Sequence, residues 1–421
     1  MPAISETSFM CLIFFLLATL SGCANQPTAQ AKTDPTAPFA TSALISPAPA
    51  GAIEQRLVAL PDGRLLSAWW DNAPESRENL KISAWKNNQW SQPVVITGMP
   101  KIVDVQLTGF AGDKLAALWM IGKAAESGEV EVHDIYLAWS DNGGADWSQP
   151  VRINQEKSSS MKESPALTAL ADGALMAAWI DMRNITLIPP QKPGDEMRME
   201  GYTALYAARM GADNQPKEVE LDKDFCDCCG PALTDDGNDG LVVYRDHKPD
   251  NIRDPALVRV SLQGSSQPVS VHDDHWKIDA CPSKGPAISR YDNTVGVIWL
   301  TMVNDKFIIR AAFSGDKGAH FGKPIDLEPD GASNVSGIVM DSPHSALVSW
   351  TKSGDNGEVL KLARVFDDGR IEHPTVVHPL TNGGAFRWPG PRMVKSEDAL
   401  IFSWNDEQDK KMGLVKVKVA E

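Results

Sequence analysis

Seven stretches decide how this chain folds: LLSAWWD (65–71), LAALWMI (115–121), LMAAWID (175–181), LVVYRDH (241–247), VGVIWLT (295–301), ALVSWTK (346–352) and LIFSWND (400–406). In each, an apolar run ends at an aromatic residue: Trp69, Trp119, Trp179, Tyr244, Trp299, Trp350 and Trp404. The intervals are 50, 60, 65, 55, 51 and 54 residues. Such a period marks a repeat architecture, in which one supersecondary unit cannot bury its apolar face alone. Each unit reads as four short strands. In the fourth they are Pro231–Thr234, Leu241–Tyr244, Ala256–Val260 and Val269–Val271, separated by turn residues and without helical periodicity. Radial blades suit this pattern, giving an all-β propeller. The seven units predict seven blades, with six as the alternative if one unit is an insertion. The last unit supplies only strands A to C. Ala40–Ser46, ahead of the first unit, falls at a strand D position, so the N-terminal strand is expected to close the ring.

The 421 residues are 43% hydrophobic and 23% charged, a globular composition with enough apolar mass for a large core. The net charge of −15 argues against nucleic acid and anionic lipid surfaces as partners. Residues 11–20 (CLIFFLLATL) form an apolar run too short to span a bilayer and of the length found in signal peptides. The LSGC that follows resembles the lipobox of bacterial lipoproteins. The resemblance implies a signal peptide over 1–22, lipidation of Cys23 and, with Ala24 next, sorting to the outer membrane, periplasmic or surface-exposed. Against it, the first ten residues carry Glu6 and no Lys or Arg, and an ordinary cleaved signal peptide is the other reading. Residues 23–39, rich in Ala, Pro, Thr and Gln, read as a flexible tether, and 40–421 as a single propeller domain.

Two hairpins, Ser140–Trp147 (SDNGGADW) and Ser314–Phe321 (SGDKGAHF), resemble the Asp-box of the sialidase-like propellers, S-x-D-x-G-x-x-W/F, the first copy having Asn142 in place of the Asp. Weaker traces stand at Asn87–Trp90 and Asp367–Gly369. The Ser and Asp side chains of such a turn bond its amides, Gly takes positive φ and the aromatic packs back between strands. The motif therefore speaks for fold rather than activity. The stretch CDCCGPAL, LVVYRD and WKIDACPSKGPAI resembles sialidase-like propellers that share this cysteine arrangement and carry no assigned activity.

In a propeller the D→A and B→C loops share one face, and sialidase-like active sites use it. Strand B ends in aromatic-x-Asp at Asp71, Asp181, Asp246 and Asp406, so these carboxylates are expected there. They are candidates for acid–base work or cation binding, set against a structural reading in which each accepts amides of its own loop. Arg183, Arg245, Arg253 and Arg387 are expected on the same face, where the resemblance implies an arginine clamp for a carboxylate. Phe386-Arg387-Trp388-Pro389 is similar to the F-R-I-P motif of sialidases, although it comes late in the chain. No tyrosine follows Tyr291, so the late tyrosine nucleophile of that family is missing.

Cys226, Cys228 and Cys229 lie in the loop entering unit four and Cys281 in the loop entering unit five, with His247, His272 and His275 nearby. Three chemistries fit this set. An exported chain usually oxidises such cysteines, and because adjacent and C-x-C pairs close strained rings, Cys226 or Cys229 is the expected partner of Cys281. Thiolates with imidazoles suit copper or zinc. Met99, Met120, Met161, Met182, Met197, Met199 and Met302 fall in loops of the same face and favour Cu(I). A catalytic thiol or redox pair would need the electropositive setting that Arg245 and Arg253 offer. The functional expectation is an envelope lipoprotein whose cysteine face, with Cys226, Cys228, Cys229, Cys281, His247 and His275, binds a metal ion or a small polar ligand. One alternative is a glycan-active, exo-sialidase-like hydrolase using Asp181, Asp246, Arg183, Arg245 and Arg387. The other is a scaffold that binds another envelope protein.

Overall fold

A computed structural model describes residues 39–421 except 61, 72–77, 111, 125–130, 158–159, 189–191, 193–197, 212–214, 224, 355–356, 373, 381–389, 407–410 and 420–421. Cys23, the signal segment, the tether and Arg387 lie outside the described residues, as do the side chains of Asp71 and Asp406.

The chain forms a seven-bladed propeller of antiparallel four-stranded sheets. In blade four the strands are Ala232–Asp236 (A), Asp239–Arg245 (B), Pro255–Ser261 (C) and Val269–Ser270 (D), close to the ranges read from sequence. Among the described residues the only helical turn is a 3-10 segment, Pro249–Asn251. Blade seven joins the first and last of the described strands. Phe39–Ala43 pairs antiparallel with Lys411–Val419, Phe39 opposite Val419 and Ala43 opposite Val415, which covers an edge that would otherwise invite pairing with another chain.

The apolar cores lie between blades rather than within them. Strand B is continuously buried because its two faces meet two neighbouring blades, which explains why the seven runs do not alternate polar and apolar. Trp69, Trp119, Trp179, Tyr244, Trp299 and Trp350 are buried to 1% exposure or less. Trp119 packs in the cluster joining blades one and two, Trp179 at the next junction, and Tyr244, Trp299 and Trp350 at the three after it. Leu57 and Leu65 meet Ala399 and Ile401 where blade seven returns to blade one.

At three junctions a carboxylate at or just beyond strand D reaches the ring polar atom of the next blade. Tyr244 donates its hydroxyl to Asp222, Trp299 Nε1 donates to Asp274 at 2.6 Å, and Trp350 Nε1 donates to Glu328 at 3.2 Å. Two of these carboxylates are also paired with cations: Asp274 with Arg310, and Glu328 with Lys352 and Lys361 at 2.7 and 2.5 Å.

The two Asp-box turns sit on the face away from the D→A loops. Ser314 Oγ bonds Asp316 Oδ1 at 2.7 Å and accepts from Gly318 N at 2.8 Å, while Asp316 Oδ1 accepts from His320 N at 2.9 Å. Asn142 plays the Asp part in the other copy, accepting from Asp146 N at 2.9 Å. Gly144 and Gly318 have φ of 90° and 85°, where a side chain would be strained. Trp147 and Phe321 pack back onto the junction cores, the structural role expected of the motif.

Candidate functional site

Blades four and five are entered by two loops that nearly touch. A Cβ on Gly285 would stand 2.0 Å from the carbonyl oxygen of Gly230, so this crossing admits only glycine at 285. The crossing brings the two cysteine-bearing loops together. Cys228 and Cys281 form a disulfide with their Cα atoms 6.2 Å apart. This corrects the expected pairing of Cys281 with Cys226 or Cys229. Those two, spaced C-x-x-C, face each other instead, Sγ to Sγ at 2.8 Å, both buried as thiols. Their mutual contact leaves Cys228 as the member of the triplet that reaches across. Cys228 Sγ remains 3.9 Å from Cys226 Sγ and 4.0 Å from Cys229 Sγ, so four sulfurs form one cluster.

Arg245, wholly buried, is the post under this cluster. It donates to the carbonyls of Lys284 (3.1 Å), Arg253 (2.6 Å) and Leu300 (2.8 Å), stacks on Trp276 and accepts the Cys226 amide at its own carbonyl (3.3 Å), which ties both loops to blade five. The S–H of Cys226 pointing at Cys229, together with burial, pushes the Cys226 pKa up. Burial opposes ionisation of Cys229, but the Cys226 S–H, Arg245, the Lys284 amide and Arg253 outweigh it and hold Cys229 below the ordinary thiol range.

Asp181 and Arg183 are engaged within blade three. Asp181 accepts from Trp179 Nε1 at 2.8 Å, from the Arg183 amide at 2.9 Å and from Arg183 Nη2 at 2.7 Å. Arg183 also grips Glu218 with two bonds of 2.9 and 2.7 Å and lies over the Tyr206 ring. Burial raises the Asp181 pKa, but Arg183 and Lys162 more than reverse this, so it stays ionised. The amide bond from Arg183 is the loop-holding role weighed for these aspartates. Asp246 donates its amide to the Asp254 carbonyl at 3.0 Å. His247 Nε2 meets Asn251 Oδ1 at 3.1 Å, and the His275 amide donates to Asp254 at 3.1 Å.

Among the described residues, two groups have the proximity to hold a cation: Cys226/Cys228/Cys229 and Glu156/Asp181/Glu218. Neither includes a histidine. The carboxylate group is already bridged by Arg183 and Lys162. With Cys228 in a disulfide, the sulfur group offers two thiols rather than the three or four ligands of a tetrahedral thiolate site.

A cleft of about 450 Å³ opens at the centre of the same face, lined by Asp104, Met120, His133, Lys162, Glu163, Ser164, Cys228, Ser283 and Lys284 among others. Burial, and then the charge of Asp227, raises the Glu163 pKa. Burial lowers the Lys284 pKa, with Glu358 and Cys229 partly offsetting it. A carboxyl and an amine both biased toward neutrality and sharing one cleft are the kind of pair that marks a binding or reaction site. Sequence reasoning did not single out Glu163, His133 or Lys284. The available signal was their position at the start of strand A or C, with Lys284 three residues after Cys281. Of the methionines considered as copper ligands, Met120 lines this cleft, whereas Met199 is 69% exposed and Met197 lies outside the described residues. A second cleft of about 300 Å³ lies on the other side of the disulfide, between Cys226–Cys228, Asn251, Arg253 and Asp279–Cys281.

No protein-family model matches the sequence, and no curated protein matches it either. Among solved structures, the chain is similar to the Hadza microbial sialidase Hz136, at 14% identity and a TM-score of 0.42, over 70% of this chain and 62% of that one, less than two thirds of its length. It is similar to a protein of unknown function from Dyadobacter fermentans at 13% identity and a TM-score of 0.49, over 76% and 95% of the two chains. It is also similar to a variant of the NanB sialidase from Streptococcus pneumoniae, at 13% identity and a TM-score of 0.43, over 90% and 70%. The chain itself is a seven-bladed propeller with a cysteine cluster on its central face.

Proposed function

We propose that this chain is a lipid-anchored envelope protein that binds a small polar ligand in its central cleft and does not cleave sialic acid. The observation that carries the reading is Glu163 and Lys284 facing one cleft of about 450 Å³, a size within the range of small-molecule sites. A mixed carboxyl–amine lining suits a ligand with both donors and acceptors, such as a sugar or an amino compound, better than a metal ion. Arg183 and Arg245, which a sialidase would present to its substrate, are committed to internal bonds, and this supports the non-sialidase reading. The anchor rests on LSGC and Cys23, and the outer membrane on Ala24.

Thermal shift against a panel of neutral sugars, uronic acids, amino sugars and amino acids tests the cleft. At least one class should raise the melting temperature, and Glu163→Gln or Lys284→Gln should abolish that rise. A flat response across the panel contradicts the reading, as does turnover of a fluorogenic sialoside. Palmitate labelling that is lost in Cys23→Ala supports the anchor, and labelling that survives the substitution refutes it.

A further inference from the structure

The sulfur cluster has more chemistry than a structural cross-link needs. One disulfide already joins the loops entering blades four and five, and Arg245 bonds both of them, its side chain to the Lys284 carbonyl and its own carbonyl to the Cys226 amide. Two further cysteines packed as thiols against that disulfide add little to packing. They do provide two electrons within bonding reach of it.

We propose that Cys226, Cys228, Cys229 and Cys281 form a thiol–disulfide exchange site, in which the buried Cys226/Cys229 pair passes two electrons to the Cys228–Cys281 disulfide. Three observations carry this. First, Cys228 Sγ lies 4.0 Å from Cys229 Sγ and 3.9 Å from Cys226 Sγ, so either thiolate reaches the bond. Second, the ends of the relay differ in access: Cys226 and Cys229 are buried and Cys281 is exposed. Third, the cleft of about 300 Å³ beside the disulfide is lined by Cys226, Cys228, Cys281 and Arg253, and Nε and Nη1 of Arg253 are buried there without a hydrogen-bond partner. An unpartnered guanidinium edge among sulfurs favours a thiolate, the form that attacks.

The step balances internally. Cys229, having lost its proton, attacks Cys228 Sγ, and the Cys228–Cys281 bond breaks with its electron pair on Cys281. Ser283 Oγ, 2.9 Å from Cys281 Sγ, is placed to donate to that leaving thiolate. The ring joining Cys228 to Cys229 is strained, because the residues are adjacent, and so it is short-lived. Cys226, as thiolate, then attacks Cys229 Sγ and releases Cys228. The two protons given up by Cys226 and Cys229 end on Cys228 and Cys281. The product is a C-x-x-C disulfide in the interior and a dithiol at the surface. A low-molecular-weight disulfide is the class of oxidant that this surface dithiol would reduce, by a second exchange that returns Cys228–Cys281.

The test uses the folded full chain in buffers of graded reduced to oxidised glutathione, followed by acid quench, alkylation and peptide mapping. The two-thiol state should contain a population with Cys226 joined to Cys229 and alkylated Cys228 and Cys281, beside the form described above. Cys229→Ser should remove that population and keep Cys228–Cys281. A wild-type chain whose two-thiol state carries its thiols on Cys226 and Cys229 alone, at every ratio, overturns the proposal. So does a Cys229→Ser chain that still frees Cys228 and Cys281 as a linked pair of thiols while Cys226 becomes oxidised.

Discussion

Single residues on the central face divide into those that hold it and those that face the cleft. Arg183 belongs to the first group: removing it leaves Glu218 without its cation and Asp181 with Lys162 alone, 3.9 Å away. Arg183→Ala should therefore cost about 2–4 kcal/mol in urea unfolding, at the lower end of a buried pair because the guanidinium keeps some solvent. An arginine held ready for substrate would show no such loss. Glu163 belongs to the second group. Its folded pKa is raised, so its charged form is penalised in the folded state, and stability is lost as pH rises from the ordinary carboxylate range through the raised value. Glu163→Gln removes that loss. The variant should unfold at higher urea than wild type near neutral pH and at nearly the same urea well below pH 4, as a pH series of denaturation curves will show. Such a gain of stability with loss of binding is the usual signature of a functional position. Very little at this scale was legible in the sequence. Asp181 and Arg183 could be placed on the right face because strand B ends there, but spacing does not say where a guanidinium turns. Cys281 was assigned the wrong partner because ring strain was weighed within the triplet, without asking which two of its members could face each other.

Elements were far more legible. The aromatic-ended runs located every strand B, since only a strand buried on both faces stays apolar throughout and ends at a loop with Asp. The carboxylate staples were not legible, because Asp274 and Glu328 lie 25 and 22 residues before the tryptophans they bond, in another blade. Glu328→Gln should destabilise by about 2–4 kcal/mol, since Lys352 and Lys361 lose their shared anion while Trp350 keeps an acceptor. Chemical denaturation would measure this, and a change below a few tenths would show the staple to be incidental. The loop cross-link is the other element-scale device. Cys228 and Cys281 are 53 residues apart, so Cys281→Ser should lower stability by about 2–4 kcal/mol through the unfolded chain, with far-UV circular dichroism unchanged.

The whole molecule is a ring closed without a covalent bond, by Phe39–Ala43 on Lys411–Val419. Deleting residues 39–43 should expose the Val415–Val419 edge, broaden the unfolding transition and promote self-association measurable by light scattering. A sharp, monomeric transition would mean that closure lies elsewhere. At this scale the fold was readable, since period, strand count and the early strand D position all agree with the ring observed. At the centre of the ring the cleft, the thiol pair and the glycine crossing all depend on how the loops entering blades four and five meet. Peptide mapping of the unreduced chain tests that meeting directly. A Cys228–Cys281 linked peptide is the expected result. Cys281 linked to Cys226 or Cys229 would contradict it.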